Sequence, residues 1–238
     1  MGYSGRLSPR PSIQPMNPLT VLRDSLYFFR LNFIAIVRLC LPLVIVEALC
    51  KHLLDQAIGP DGSPVYDIAL GLLFYPLYTV ALILFLDARS NGIEPLTRNL
   101  WAMALRLWPR FALLSGLSTA VILLGVSMFV LPGLWVMVKL AFAEYLVVLR
   151  NLHPLAAMRE SFEMTRGHFW RILACVLGVL APLWLLDGIS EALYPDPRNP
   201  VLGLLLDSVN SFLQLFTSVV LFRLFMLVGD SRIGPPRP

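Results

Sequence analysis

Long runs of apolar residues, separated by short polar segments, divide the chain into six stretches. A helix that crosses a hydrocarbon core of about 30 Å needs about 20 mostly apolar residues, and each stretch approaches that length. The stretches do not alternate apolar and polar positions as the strands of a membrane barrel would. The pattern therefore predicts six transmembrane helices, at about Phe33–Cys50, Val65–Leu86, Phe111–Val130, Leu134–Leu149, Phe169–Leu186 and Val201–Val228.

The third and fourth stretches would form one run if Pro132 and Gly133 did not interrupt it. Arg110 and Arg150 bracket this run of about 40 residues, which as a single helix would measure about 60 Å. That length is twice the thickness of the hydrocarbon core. We therefore predict two spans that are joined by a tight Leu-Pro-Gly turn.

The composition agrees with a membrane protein, since 57% of the residues are hydrophobic and 14% are charged. A soluble domain carries about 25% charged residues. The proline-, serine- and arginine-rich residues 1–18 predict a disordered cytoplasmic arm, residues 19–230 a six-span membrane domain, and residues 231–238 a cytoplasmic tail. The three cysteines lack the spacing of a metal or redox motif, and we expect no cofactor.

Basic residues predict the orientation of the spans. Four arginines precede span one, four lie between spans two and three, four lie between or beside spans four and five, and two follow span six. The opposite connections carry only Lys51 and Arg198. The positive-inside rule then places both termini in the cytoplasm. The net charge of +4 reflects this orientation, and because no basic groove with interleaved aromatic residues is apparent, we expect no nucleic-acid partner.

An internal repeat organises the chain. Leu22–Phe33 resembles Met158–Phe169 at a constant offset of 136 residues, and Trp101–Phe111 is a weaker third copy. Each copy precedes a span that leaves the cytoplasm. The predicted fold class is an all-α membrane protein with six transmembrane helices. They form three parallel hairpin units, each preceded by a cytoplasmic interfacial amphipathic helix.

The repeated segments are amphipathic, and in the third unit Leu155, Met158 and Phe162 recur at helical spacing. Such a helix lies in the head-group plane of the bilayer with its apolar face directed inward. The expected partner is the lipid bilayer. The helices are interpreted either as binding anionic lipid head groups or as anchors that set the depth of the spans.

Polar side chains within the spans are the candidate functional residues, because a charge near the centre of a span costs about 2.5–3.5 kcal/mol. Their depths predict that Lys139 pairs with Glu47 or Asp207, and that Arg38 pairs with Glu144 deeper in the membrane. Arg223, near the cytoplasmic end, can extend its head group into water. The full set is Arg38, Glu47, Lys139, Glu144, Asp207, Asn210, Gln214 and Arg223.

Polar residues also share one face of the sixth span, at positions 207, 210, 211, 214, 217 and 218. This stripe is interpreted either as a polar path or cavity near the midplane or as a set of interhelical hydrogen bonds. On the third span, the small residues are interpreted as close-packing positions: Ser115, Gly116, Thr119 and Ala120. HExxH, GxSxG, P-loop and GxGxxG motifs are absent from the sequence, so we expect no enzyme.

Three segments carry a family resemblance: LPGLWVMVKLAFAEYLVVL, AAMRESFEMTRGHFWRIL and LFRLFML. From about Pro18 to Asp230 the chain resembles the YciC family of bacterial inner-membrane proteins. More distantly, it is similar to the membrane domain attached to some glycerophosphodiester phosphodiesterases. The resemblance implies a six-span protein of the bacterial inner membrane whose biochemical role is not established, and it brings no catalytic residues to this chain.

Two functions are considered. The first is non-enzymatic organisation or assembly of the cell envelope, and the alternative is transport or lipid handling that uses the stripe on the sixth span. A cavity lined by Asp207, Asn210, Gln214 and Lys139 would favour transport. A dry bundle in which these groups bond one another would favour the structural role.

Overall fold

The computed structural model describes residues 18–58, 65–193 and 200–232, and these residues form helices joined by short connections. The predicted arm and tail lie outside this part of the chain except at their inner ends. No β-strand occurs among the described residues, as the predicted all-α class requires. The helices are α1 Pro18–Leu31, α2 Phe33–Ile58, α3 Val65–Ser90, α4 Thr97–Met128, α5 Val130–Leu140, α6 Ala143–Leu149, α7 Pro154–Met164, α8 Phe169–Leu193 and α9 Pro200–Arg232.

Four described segments are long and apolar enough to cross a membrane. They are Phe33–Leu54, Ile68–Ser90, Thr97–Met128 and Val130–Leu149, and each overlaps one of the first four predicted spans. Two shorter apolar segments, Phe169–Pro182 and Gln214–Gly229, overlap the predicted fifth and sixth spans. Transmembrane helices are therefore present, while the number six remains a prediction.

The sequence predicted a turn at Pro132-Gly133 between the third and fourth spans, but the structure places this turn three residues earlier, at Phe129. Helix α4 ends at Met128, Phe129 is extended with φ −166° and ψ 155°, and α5 begins at Val130. Proline is tolerated in the first turn of a helix, where its missing N–H would have no partner in any case. Pro132 therefore lies within the start of α5 rather than between two helices.

The predicted interfacial helix at Trp101–Phe111 is not a separate element, because it forms the first half of the continuous helix α4. The 32 residues of α4 span about 48 Å, which exceeds the hydrocarbon core. Pro109 lies inside this helix without ending it. Proline is common in membrane helices, since neighbouring groups satisfy the carbonyl that it leaves free.

The predicted fourth span is interrupted, since α5 ends at Leu140 and α6 begins at Ala143. Ser161 of α7 bridges the interruption. Its hydroxyl donates to the carbonyl of Lys139 at 2.7 Å and accepts from the N–H of Phe142 at 3.1 Å. Ser161 is fully buried, so this side chain supplies the hydrogen bonds that a broken helix cannot supply within an apolar bundle.

The amphipathic elements each pack against a helix that belongs to another unit. Helix α1 packs against α9 and α8, α4 packs against α3, and α7 packs against α6. The buried face of α7 consists of Pro154, Ala157, Ser161 and Met164, whereas Leu155 on the predicted apolar face is 63% exposed. The predicted face is therefore rotated, because the smaller side chains are the ones that approach α5 and α6.

Helix α6 lies in the interior of the bundle, although it has only seven residues. Five of these residues are buried, among them Tyr145, Leu146 and Val147. Glu144, the second residue of α6, is partly buried. The interrupted fourth span thus carries a carboxyl group into the centre of the protein.

Candidate functional site: a polar cleft among the helices

A cleft of about 630 Å³ lies among α2, α3, α4, α5, α6, α8 and α9. Leucine, isoleucine and valine side chains form much of its wall. The polar groups that line it are Glu47, Lys51, Tyr75, Tyr78, Ser115, Ser118, Thr119, Glu144, Gln214, Thr217 and Ser218. Carboxylates, hydroxyls and an amide therefore converge on a single cleft within apolar segments.

Glu144 forms one wall of the cleft and accepts a hydrogen bond of 2.8 Å from the hydroxyl of Tyr75. The predicted Arg38–Glu144 pair is wrong, because Tyr75 supplies the donor and Arg38 is exposed. On α2 Arg38 precedes Glu47 by nine residues, which at about 100° per residue places the two side chains on opposite faces. Since Glu47 faces the cleft, Arg38 faces away from it.

Glu47 forms the opposite wall and is 7% exposed. Its Oε1 atom pairs with the ammonium of Lys51 at 2.8 Å, one turn along the same helix. Its Oε2 atom is buried and forms no hydrogen bond of good geometry with a residue that the structure describes, although the hydroxyl of Tyr78 on α3 lies near this carboxylate. The carboxylate therefore presents an unused acceptor at the cleft.

The predicted pair of Lys139 with Glu47 is also wrong, because the cation that pairs with Glu47 is Lys51. The ammonium of Lys139 lies 5.7 Å from the ring centroid of Trp135 and forms no salt bridge with a described side chain. Lys139 is buried, and it is not among the residues that line the cleft. The side chain of Asp207, its other predicted partner, lies outside those that the structure describes.

The polar stripe of the sixth predicted span reaches the cleft through Gln214, Thr217 and Ser218. The Thr217 hydroxyl is buried without a partner among the described residues. The carbonyl of Ser218 accepts a 2.7 Å hydrogen bond from the hydroxyl of Tyr145 on α6. The stripe therefore combines interhelical bonding with a free polar group. Its remaining members, Asp207, Asn210 and Ser211, have side chains outside the described set.

Arg223 does not belong to this cleft. Its guanidinium lies 3.8 Å from the carboxylate of Asp24 on α1, and both side chains are partly exposed. This position agrees with the prediction that Arg223 directs its charge away from the apolar interior.

Sequence reasoning missed the two tyrosines and Ser118, and it assigned Ser115 and Thr119 to packing. The spacing of Ser115, Ser118 and Thr119 by three and four residues places them on one face of α4. The same spacing had identified the stripe on α9. Tyr75 and Tyr78 are likewise three residues apart within an apolar span. Polar residues three and four positions apart within an apolar segment were the signal that could have identified the contributions of α3 and α4 to the cleft.

Replacement of Tyr75 by Phe is expected to destabilise the protein by about 2 kcal/mol, since it removes the donor to a buried carboxylate. The measurement is the midpoint of unfolding of the purified chain in mixed micelles of a mild detergent and dodecyl sulfate. Tyr66→Phe is the control, because Tyr66 is exposed at the start of α3. If the addition of Glu144→Gln to the Tyr75→Phe variant restored none of the lost stability, the hydrogen bond assigned to this pair would be contradicted.

The fold and the cleft define an all-helical transmembrane protein in which polar side chains face a cleft between the helices. The chain belongs to a family described as a domain of unknown function, DUF7847, whose model matches residues 68–229. It is similar to a UPF0259 membrane protein of Pectobacterium carotovorum, with 22% identity over 249 residues that cover 90% of this chain and 99% of that one. No solved structure matches the chain.

UPF0259 membrane proteins of Yersinia pestis and Yersinia pseudotuberculosis are 28% identical to the chain over 127 residues. These alignments cover 53% of this chain, which spans about half (49%) of the length of those relatives. The relatives support a bacterial membrane location. The more distant resemblance to the membrane domain of glycerophosphodiester phosphodiesterases finds no support among these matches.

Proposed function

We propose that this chain is a non-enzymatic, six-span protein of the bacterial inner membrane that binds the polar head of an amphiphilic molecule in the cleft. The distribution of arginines supports an orientation with both termini in the cytoplasm. The resemblance to the YciC family supports the inner membrane as its location. Lipid handling, the alternative drawn from the sequence, is the function that the geometry of the cleft favours.

The single observation that carries this proposal is the unpartnered Oε2 atom of Glu47 at the wall of the cleft. A buried polar atom without a partner costs about 1–3 kcal/mol. In a bundle with a purely structural role, we would expect the polar groups of the interior to bond one another. The Thr217 hydroxyl lacks a partner in the described residues as well, so two groups of the same cleft have unused bonding capacity.

The lining groups indicate the chemistry of the head that would bind. Glu47 and Glu144 are acceptors when ionised, and Lys51 is the one cation among the described residues that line the cleft. An ammonium head group offers N–H donors and a positive charge that complement an excess of carboxylates. The apolar wall suits the start of an acyl chain. The ligand proposed is therefore an amphiphile with a primary ammonium head.

The experiment compares two phospholipids that share acyl chains. Phosphatidylethanolamine carries N–H donors, whereas phosphatidylcholine carries a quaternary ammonium without them. Native mass spectrometry of the full-length chain, released from detergent with each lipid, is expected to show at least fivefold preference for phosphatidylethanolamine. The variants Glu47→Gln and Glu144→Gln are each expected to reduce this preference to less than twofold.

Glu160→Gln is the matched control, because Glu160 pairs with Arg150 on the surface, away from the cleft. Retention of the preference in this control and its loss in the two cleft variants would support the proposal. Equal binding of the two lipids by the unaltered chain would refute it. An equal loss in Glu160→Gln would also refute it, since the effect would then follow net charge rather than the cleft.

A further inference from the structure

A second pocket, of about 670 Å³, lies among α1, α3 and α9 on the arginine-rich side of the bundle. Each of the three helices contributes one guanidinium to it: Arg23 from α1, Arg89 from α3 and Arg223 from α9. Val219 and Phe222 form an apolar floor. This pocket is separate from the polar cleft, and the function proposed above does not use it.

The acidic groups near the pocket leave part of its bonding capacity free. Asp24 lies at a long 3.8 Å from Arg223, and Glu94 lies 2.7 Å from Arg89 but is 83% exposed. The Nε atom of Arg89 is buried and has no partner within the described residues. The pocket thus has three guanidinium groups and two nearby carboxylates, and the Nε donor of Arg89 is unused among the described residues.

Ser25 provides evidence for a ligand in this pocket that is independent of the arginines. It lines the pocket, it is 2% exposed, and its hydroxyl has no hydrogen-bond partner in the part of the chain that the structure describes. Buried hydroxyls rarely lack a hydrogen-bond partner, and that partner is usually another protein group, water or a ligand. Its position therefore points to a ligand that accepts a hydrogen bond.

The internal repeat explains why the hydroxyl of Ser25 has no hydrogen-bond partner among the described residues. Ser25 corresponds to Ser161 at the offset of 136 residues, and both serines are buried on the helix that begins their unit. Ser161 bonds the backbone of the interrupted span formed by α5 and α6. Helix α9, against which α1 packs, is continuous from Pro200 to Arg232. Because an unbroken helix satisfies its own backbone, α9 offers Ser25 no comparable partner.

We propose that this pocket binds a phosphate group, with the Ser25 hydroxyl and the guanidinium groups of Arg89 and Arg223 as donors. Guanidinium groups present planar pairs of N–H donors that match phosphate oxygens. The phosphate can belong to the head group of an anionic phospholipid, whose glycerol and acyl chains would lie on the apolar floor, or it can be free in solution. Both ligands would use the same donors.

The experiment measures binding of two probes by the full-length chain in a zwitterionic detergent. Phosphatidylglycerol is counted by native mass spectrometry, and inorganic phosphate is titrated by calorimetry. We expect one saturable site for phosphatidylglycerol that weakens as sodium chloride is raised. Arg223→Gln is expected to weaken binding at least tenfold, and Ser25→Ala three- to tenfold.

Arg106→Gln is the matched control, because Arg106 is an exposed arginine on the same side, outside the pocket. It is expected to change the affinity less than twofold. Arg223→Lys keeps the charge and is expected to retain part of the binding, which distinguishes loss of a ligand contact from loss of the fold. Ser25→Ala gives a second distinction, since it removes only an unpartnered oxygen.

The two probes separate the sources of the phosphate. Saturable binding of phosphatidylglycerol that depends on Ser25 and Arg223 supports a lipid ligand. Binding of inorganic phosphate with the same dependence, and without lipid binding, supports a free phosphate. The site is refuted if Arg106→Gln weakens binding as much as Arg223→Gln does. It is equally refuted if Ser25→Ala and Arg223→Gln both leave binding unchanged, or if neither probe saturates.

Discussion

Replacement of Ser161 by Ala is expected to lower the free energy of unfolding by about 2–4 kcal/mol. The hydroxyl of Ser161 bonds both the carbonyl of Lys139 and the N–H of Phe142, where the fourth predicted span is interrupted. Alanine would leave both backbone groups without this partner in a buried region, and each such group costs about 1–3 kcal/mol. The unfolding midpoint in mixed micelles, with the free energy extrapolated from it, measures the loss.

Ser25→Ala is the control for this prediction, since the repeat places Ser25 at the corresponding position. Its hydroxyl is buried but bonds no described residue, so its removal orphans no backbone group. In the absence of phosphate ligands, we expect a change of less than about 0.5 kcal/mol. Equal losses in Ser161→Ala and Ser25→Ala would mean that the bridge to the interrupted span does not stabilise the fold.

Replacement of Gly133 by Ala is expected to cost about 3 kcal/mol. A Cβ atom at Gly133 would lie 2.9 Å from the backbone N of Val126 on α4 and would also overlap the Val126 side chain. The obstruction includes backbone, so a rotamer change of Val126 cannot remove it. Forcing an extra methyl group into a packed contact costs about 1–3 kcal/mol, and the rigid neighbour places this case at the upper end.

The control for Gly133→Ala is Gly71→Ala on α3, because a Cβ atom at Gly71 would meet no atom within 4 Å. Alanine also has the higher helix propensity, so Gly71→Ala is expected to be neutral or slightly stabilising. The same unfolding measurement applies to both variants. A Gly133→Ala protein as stable as the unaltered chain would contradict the close approach of α4 and α5 at this position.

These two predictions concern the segment that sequence reasoning described least well. The segment Leu134–Leu149 predicted one span, since it is mostly apolar and carries no helix-breaking residue near position 141. The side chain that bridges the interruption belongs to Ser161, which lies about twenty residues further along the chain. Local patterns contain no information about such a partner, so the break was not predictable from the run itself.

The candidate site was predicted in part. Glu47, Glu144 and Gln214 were identified from the cost of polar groups in apolar spans, and all three line the cleft. The partners were wrong because depth alone was used to assign them. Depth gives the height of a residue in the bundle, whereas pairing also requires that two side chains face each other. Tyr75, an uncharged donor, was overlooked because only charged partners were considered.

The sequence by itself determined that this is a helical membrane protein and which parts of it are apolar. These properties follow from the transfer of side chains between water and lipid, and each residue contributes to them whatever its neighbours are. The tertiary structure alone decided the turn at Phe129, the break bridged by Ser161, and the different surroundings of Ser25 and Ser161. Those features depend on contacts between distant segments, where the position of one hydroxyl or the lack of one Cβ atom determines how two helices meet.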